Sequence, residues 1–350
     1  MQFGIQFFPD VGPKQVSGAD YWGECLQLSE IADGLGYHHI RTVEHYFHPY
    51  GGYSTNPLTF LAAAAQRTRR ARLVTGAILP IFNNPMKVAG EIGLVDAMSD
   101  GRLECGFARA FLPHEFRTFG RSLDESRVRF VEGVGQIRRL LEEEDVTCEG
   151  EFHSFKNVTS LPRPTQKPRP PFWVATSSST ESFVYAGENG YGVMVIPRPP
   201  ATVKAWLDTY RESYKKAGHP GEGRVMLATH MCCAPKPGQA LAESRDHLQG
   251  YFDILREASS DWMHVTSKDY PNHPNMMKTD QRGNLDQMLA GDALWIGTPD
   301  EISAKIERYQ KTVGKIELAS LQVNFHAMPA DRAEASVRLF AEQVIPNFRD

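Results

Sequence analysis

The sequence predicts an α/β fold, a (β/α)8 TIM barrel that takes in residues 1–350 as one domain. Three observations lead there. Eight short apolar runs rich in β-forming residues alternate with helical patterns along the chain. Eight repeats is the number at which a parallel sheet closes on itself. A chain of 350 residues has a length at which α/β barrels are routinely single domains. A doubly wound open sheet is the competing arrangement.

The repeats run in order. Strand patterns at 3–8, 39–43, 73–79 and 103–107 are followed by helical patterns at 20–35, 57–70, 86–98 and 124–143. The Ser99-Asp100-Gly101 turn leads into the fourth strand, with glycine free to take the positive φ of a tight turn. Strands at 172–175, 193–196 and 225–232 alternate with helices at 180–189, 201–217 and 238–257. A helix at 299–313 precedes the eighth strand, 319–325, and a last helix covers 330–345. Thr298 caps the 299–313 helix, Pro299 suits its first position, Glu301 completes a capping box and Gly314 ends it.

Two insertions interrupt the rhythm, one before strand 5 and one before strand 8. Residues 145–170 hold a short β-like piece and then the proline-rich LPRPTQKPRPP, an extended connector. Residues 258–292 have no clean period and are rich in Asn, Asp, Pro and Met. A loop that long in a compact domain is a functional feature or a disordered one. Its placement fits a lid at the barrel mouth, with Trp262, Met263, Met276, Met277 and Met288 supplying adaptable apolar surface. The alternative is an excursion packed against a dimer partner.

Composition narrows the function. A net charge of -4 and a pI near 6.3 argue against a nucleic-acid binder, which needs a basic face. No run approaches the roughly 20 apolar residues of a membrane span, so no membrane role is expected. The start, MQFGIQFFPDVG, lacks the pattern of a signal peptide. Five cysteines without a CxxC spacing fit reduced thiols in a cytoplasmic protein.

Three segments carry candidate chemistry. Arg109 stands where the fourth strand ends, among Gly106, Ala108 and Ala110. A buried arginine there needs an anion, either a bound phosphate or carboxylate or an internal Asp or Glu. Residues 44–53, beginning Glu44-His45-Tyr46-Phe47, place ionisable and aromatic side chains at the second strand's C-terminal end, where barrel active sites sit. His45 can serve as a base at neutral pH, or as a loop histidine held by hydrogen bonds. The His45-x-x-His48 spacing lacks a third metal ligand, so no metal is expected. After strand five, Thr176-Ser177-Ser178-Ser179-Thr180 runs into a helix N-terminus, a ready anion site.

The order Arg41-Thr-Val-Glu44-His45-Tyr46-Phe47, Leu73-Val-Thr-Gly76-Ala77-Ile-Leu79-Pro80, Gly101-Arg102-Leu103…Gly106…Arg109, Phe116-Arg117-Thr118-Phe119-Gly120 and Val174-Ala-Thr-Ser177-Ser-Ser-Thr180 resembles the bacterial luciferase-like flavin monooxygenases. The likeness covers most of 1–196 and resumes at Ile296-Gly297-Thr298-Pro299. It implies a (β/α)8 barrel, usually dimeric, that binds reduced FMN supplied by a separate flavin reductase. With O2 the family forms a peroxyflavin and inserts one oxygen atom into a small organic substrate. Carried over by position, His45 matches the catalytic histidine and Arg109 the arginine on the FMN phosphate. Ser177 and Thr180 match the groups around that phosphate, with Glu44 and Thr176 also on the cofactor side. Gly76 and Ala77 match a strand end that often carries a non-proline cis peptide. Tyr46 replaces luciferase's second histidine and Ala108 its reactive cysteine, which tells against light emission. The rivals are a deazaflavin-dependent oxidoreductase of the same fold and a non-catalytic flavin-binding protein.

Overall fold

The computed structural model describes residues 1–176, 179–196, 198–278 and 285–349. Eight parallel strands close a barrel: β1 (Gln2–Phe7), β2 (His39–Thr42), β3 (Arg72–Thr75), β4 (Leu103–Phe107), β7 (Phe172–Thr176), β8 (Gly192–Val195), β9 (Val225–Cys233) and β11 (Leu318–Gln322). Each pairs with the next, β8 with β9, and β11 returns to β1, where Gln2 lies opposite Leu318 and Gln6 opposite Gln322. The strands are buried along nearly their whole length, which is why they read as apolar runs and not as alternating patterns.

The strand at 73–79 is shorter than its apolar run. Only Arg72–Thr75 pairs regularly, and the chain then turns away, touching β4 again at an Ile78–Phe107 bridge. The last strand likewise ends at Gln322 and not Phe325. Between β4 and β7 lie the short helix α4 (Pro113–Thr118), α5 (Ser126–Glu142) and the antiparallel hairpin of β5 (Val146–Glu149) with β6 (Ser154–Val158). The sequence pattern predicts no helix at α4. Between β9 and β11 the chain forms α8 (Gln239–Ala258), a 3-10 turn at Ser260–Met263 and the short helices α9 (His273–Lys278) and α10 (Leu285–Ala290). A further strand, β10 (Trp295–Gly297), pairs with the far end of β9 outside the barrel. Then comes α11 (Pro299–Val313), whose capping box is formed by Thr298 and Glu301 as its sequence dictates.

Inside the N-terminal half of the barrel, Val74, Trp173, Met194, Met226 and Leu318 pack together. Buried Glu104 accepts from Trp173 Nε1 at 2.7 Å and pairs with Arg72 at 2.6 Å and Arg224 at 3.2 Å. That plug closes the end remote from the long loops. The open space is therefore at the C-terminal mouth.

Candidate active site

The mouth holds a cavity of about 430 Å³. Among the residues that line it are Glu44, His45, Gly76, Ala77, Arg109, Thr176 and Thr180, so seven of the eight sequence-derived candidates meet in one space. Ser177, the eighth, lies outside the described residues.

His45 follows β2 and is buried. Its Nδ1 lies 3.0 Å from Glu115 Oε1, and the same oxygen accepts the backbone N–H of Tyr46 at 2.9 Å. Glu115, fully buried, sits on α4, whose first position is Pro113. Donation from Nδ1–H to a carboxylate fixes the ring and leaves Nε2 as the basic nitrogen of the neutral imidazole. The rings of Phe8, Tyr50 and Phe111 stand 5.5 to 5.8 Å from it and restrict water. Glu115 was missed in the sequence because it is remote from His45 along the chain. The only cue was an acidic residue just inside a proline-started helix. His48 turns elsewhere, its Nδ1 accepting from Tyr50 N at 3.1 Å.

Glu44 is buried and receives the Tyr46 hydroxyl at 2.5 Å, the Leu79 amide at 3.0 Å and the Asn83 side chain at 2.7 Å. Burial pushes its carboxyl up to about 7 despite these donors. These bonds make Glu44 a brace that ties β2 to the Gly76–Leu79 turn. Among the described residues the cis peptide bonds are Leu161–Pro162 and Lys167–Pro168, so the Gly76–Ala77 bond is trans and lacks the cis form that the family often has there. Gly76 meets another demand: the Arg41 guanidinium passes beneath it, and a Cβ would come within 2.7 Å of Arg41 Cζ. The aromatic residues of 44–53 and Phe111 do not all face the cavity. Tyr50 and Phe111 line the cavity, whereas Phe47 is more than half exposed and Tyr53 donates to the Val16 carbonyl at 2.8 Å.

Arg109 is buried beyond β4. Its Nη2 donates to Ser126 Oγ at 2.7 Å and to the Asp269 carbonyl at 2.9 Å, with the Asp269 carboxylate at 3.7 Å. Asp269 also accepts the Arg127 amide at the start of α5, at 2.9 Å. The internal-carboxylate alternative thus holds in part: the long excursion supplies an acid to the arginine. Among the described residues, however, Arg109 Nε is buried with no partner. Ser179 and Thr180 open α6 (Thr180–Glu188) beside Arg127, which reaches Glu181 at 3.5 Å. The excursion is latched to the same turn. The Tyr270 hydroxyl bonds the Arg109 and Ala110 carbonyls at 3.2 and 2.8 Å, and Trp262 Nε1 bonds the Phe111 carbonyl at 2.9 Å. Met263 is exposed and Met288 lines the cavity, while the Met276 and Met277 side chains lie outside the described residues.

A closed parallel barrel with a cationic corner and a carboxylate-held histidine at its C-terminal mouth defines an α/β-barrel enzyme. The chain belongs to the luciferase-like monooxygenases, whose family model matches residues 1–315, and it is accordingly an oxidoreductase. It is similar to a solved monooxygenase of Streptomyces bottropensis, RslO1, at 42% identity and TM-score 0.89, with all of both chains covered. It is 33% identical over 199 residues to the oxygenase component of the flavin-dependent trigonelline monooxygenase of Acinetobacter baylyi. That match takes in 56% of this chain and 54% of the relative, so the chain spans about half the length of that protein. The oxygenating constituent of 3,6-diketocamphane monooxygenase of Pseudomonas putida, solved with FMN, shares the fold at TM-score 0.83 and 20% identity, covering 100% of this chain and 99% of that one. Among the described residues no helix is long and apolar enough to cross a membrane.

Proposed function

We propose that this enzyme is the oxygenase of a two-component flavin monooxygenase acting on a small organic substrate. The observation that carries the reading is one cavity bounded by Arg109, Arg127 and Thr180 on one side and by His45, backed by Glu115, on another. The flavin-dependent, oxygenase-component name of the Acinetobacter relative supports a flavin reduced by a separate component, and the FMN in the Pseudomonas structure supports FMN as that flavin.

The residues present fit FMN. Arg109 Nε is a buried donor without an acceptor, and the first amides of α6 with the helix dipole favour a phosphate. Arg109, Thr176 and Thr180 would hold that phosphate, with Glu44, Gly76 and Ala77 at the ring end. Bound reduced FMN supplies the two electrons by which O2 gives one oxygen atom to the substrate and releases the other as water. His45 moves a proton at Nε2 while Glu115 holds Nδ1. Phe8, Tyr50 and Phe111 keep water from the reacting atoms, which limits loss of oxygen as hydrogen peroxide. The working form is a cytoplasmic homodimer.

Two variants test the assignment. Arg109→Ala is expected to weaken FMN binding by about 1.5–3 kcal/mol, measured by flavin fluorescence, the scale of a hydrogen bond to a charged group. His45→Ala is expected to bind FMN normally and to slow ¹⁸O-labelled product formation by ~10²-fold in a panel of ketones and phenols under ¹⁸O2. Tight binding of a deazaflavin and none of FMN would instead make the enzyme a hydride-transfer oxidoreductase. Flavin binding with no oxygen incorporated into any of the panel would favour the non-catalytic reading.

A further inference from the structure

Arg41 is a strand residue of β2, 5% exposed, and lines the same cavity from inside the barrel. Its Nη1 donates to Gln6 Oε1 and its Nη2 to the Gly76 carbonyl, both neutral acceptors. Its Nε is buried with no partner among the described residues. Among the described residues no carboxylate pairs with it, in contrast to half-buried Arg72, which has Glu104 at 2.6 Å. Burial lowers the guanidinium only to about 10, so it stays cationic at neutral pH. A cation taken from water without a counter-ion is costly to the fold, and such a group persists where an anion meets it.

The neighbours suit the same ligand. His230 of β9 also lines the cavity, its Nε2 buried and without a partner, and burial pulls it down to about 3, so it is neutral and adds a hydrogen-bonding group without charge. The Tyr251 ring from α8 stands 4.3 Å from the His230 ring, and its hydroxyl lies 3.5 Å from that of Tyr50. Gly76 leaves the guanidinium room, since any side chain there would collide with it. The result is a flat cationic face walled by aromatic rings, and a guanidinium binds a planar, charge-sharing oxygen group better than a point charge does.

We infer that Arg41, with His230 and Tyr251, forms a subsite for an oxygen that carries a delocalised negative charge: a carboxylate, phenolate or enolate. This subsite is separate in sequence and position from the Arg109 corner. It deepens the function proposed above and rests on that reading only for its flavin arm. The oxyanion can belong to an acidic organic substrate or to the ring of reduced flavin, and two titrations distinguish these.

The first uses the flavin-free protein with 4-nitrophenolate and its neutral analogue 4-nitroanisole, followed by absorbance and tryptophan fluorescence. The second compares the affinities for oxidised and reduced FMN without oxygen. Wild type, Arg41→Lys, Arg41→Gln and Arg41→Met are measured, each checked for folding by circular dichroism. A preference for nitrophenolate of about tenfold or more, kept by Lys and lost in Gln and Met, assigns the subsite to substrate. A fall of about tenfold in the preference for reduced FMN in the same variants assigns it to the flavin. If folded Gln and Met variants keep both preferences, or wild type has neither, the subsite does not exist. Should only Met fail to fold, the Gln and Lys pair still decides. Charge-dependent nitrophenolate binding in a protein that binds no FMN would sustain the subsite while overturning the proposed function.

Discussion

Glu44 is a buried acid of the proposed site whose carboxyl stands well away from its ordinary state. Its carboxyl, at 4.5 when free, is pushed up to about 7 by burial. Between those values the folded protein holds a proton that the unfolded chain has released, so this group favours the fold at low pH. That contribution is lost as pH rises through 7, and its size is on the order of 3 kcal/mol for a shift of this extent. Glu44→Gln is expected to flatten this part of the slope of urea midpoints between pH 5 and 8. An identical slope in the variant would mean that the carboxylate is ionised throughout. The sequence exposed Glu44 and His45 because they stand together at a strand end. It hid Glu115 because contact across the barrel mouth leaves no spacing to read, and it hid Arg41's lack of a counter-ion because a missing partner is visible only in three dimensions. The trans Gly76–Ala77 bond belongs with these, since local geometry does not follow from a matching position.

At the scale of elements, the excursion after α8 departs most from a regular pattern. The strands and long helices were legible because each buries a periodic face. The 3-10 turn, α9 and α10 were not, because this segment is held by single side chains bonding carbonyls of the β4–α4 turn. Tyr270 contributes the Arg109 and Ala110 bonds and places its ring 4.7 Å from the Arg109 guanidinium. Tyr270→Phe keeps the ring and strands two buried carbonyls, a loss of about 1–3 kcal/mol. We expect faster amide exchange across 260–273 with unchanged exchange in the barrel strands. Uniform loosening of the whole chain would show that the segment is part of the barrel core and not a separately opening unit.

For the whole molecule, the proposed homodimer needs a face. Leu94 and Met98 are exposed on α3 (Pro85–Met98), and the segment with exposed Leu161 crosses that helix at Gly90 and Gly93. Exposed apolar side chains on neighbouring segments are candidates for such a face. Met98→Glu with Leu161→Glu should convert the dimer to monomers in sedimentation at micromolar concentration, and an unaltered sedimentation coefficient would place the interface elsewhere. The barrel itself was the most legible feature, since eight alternations admit few closures, yet the sequence did not show how it closes. β11 wedges between β9 and β1, so the strand made last is bonded on both sides to strands made long before. Until residue 322 leaves the ribosome, β1 and β9 each present an open edge of unpaired amides and carbonyls, the template on which chains aggregate. The growing chain therefore carries two unpaired edges until one five-residue keystone closes them both.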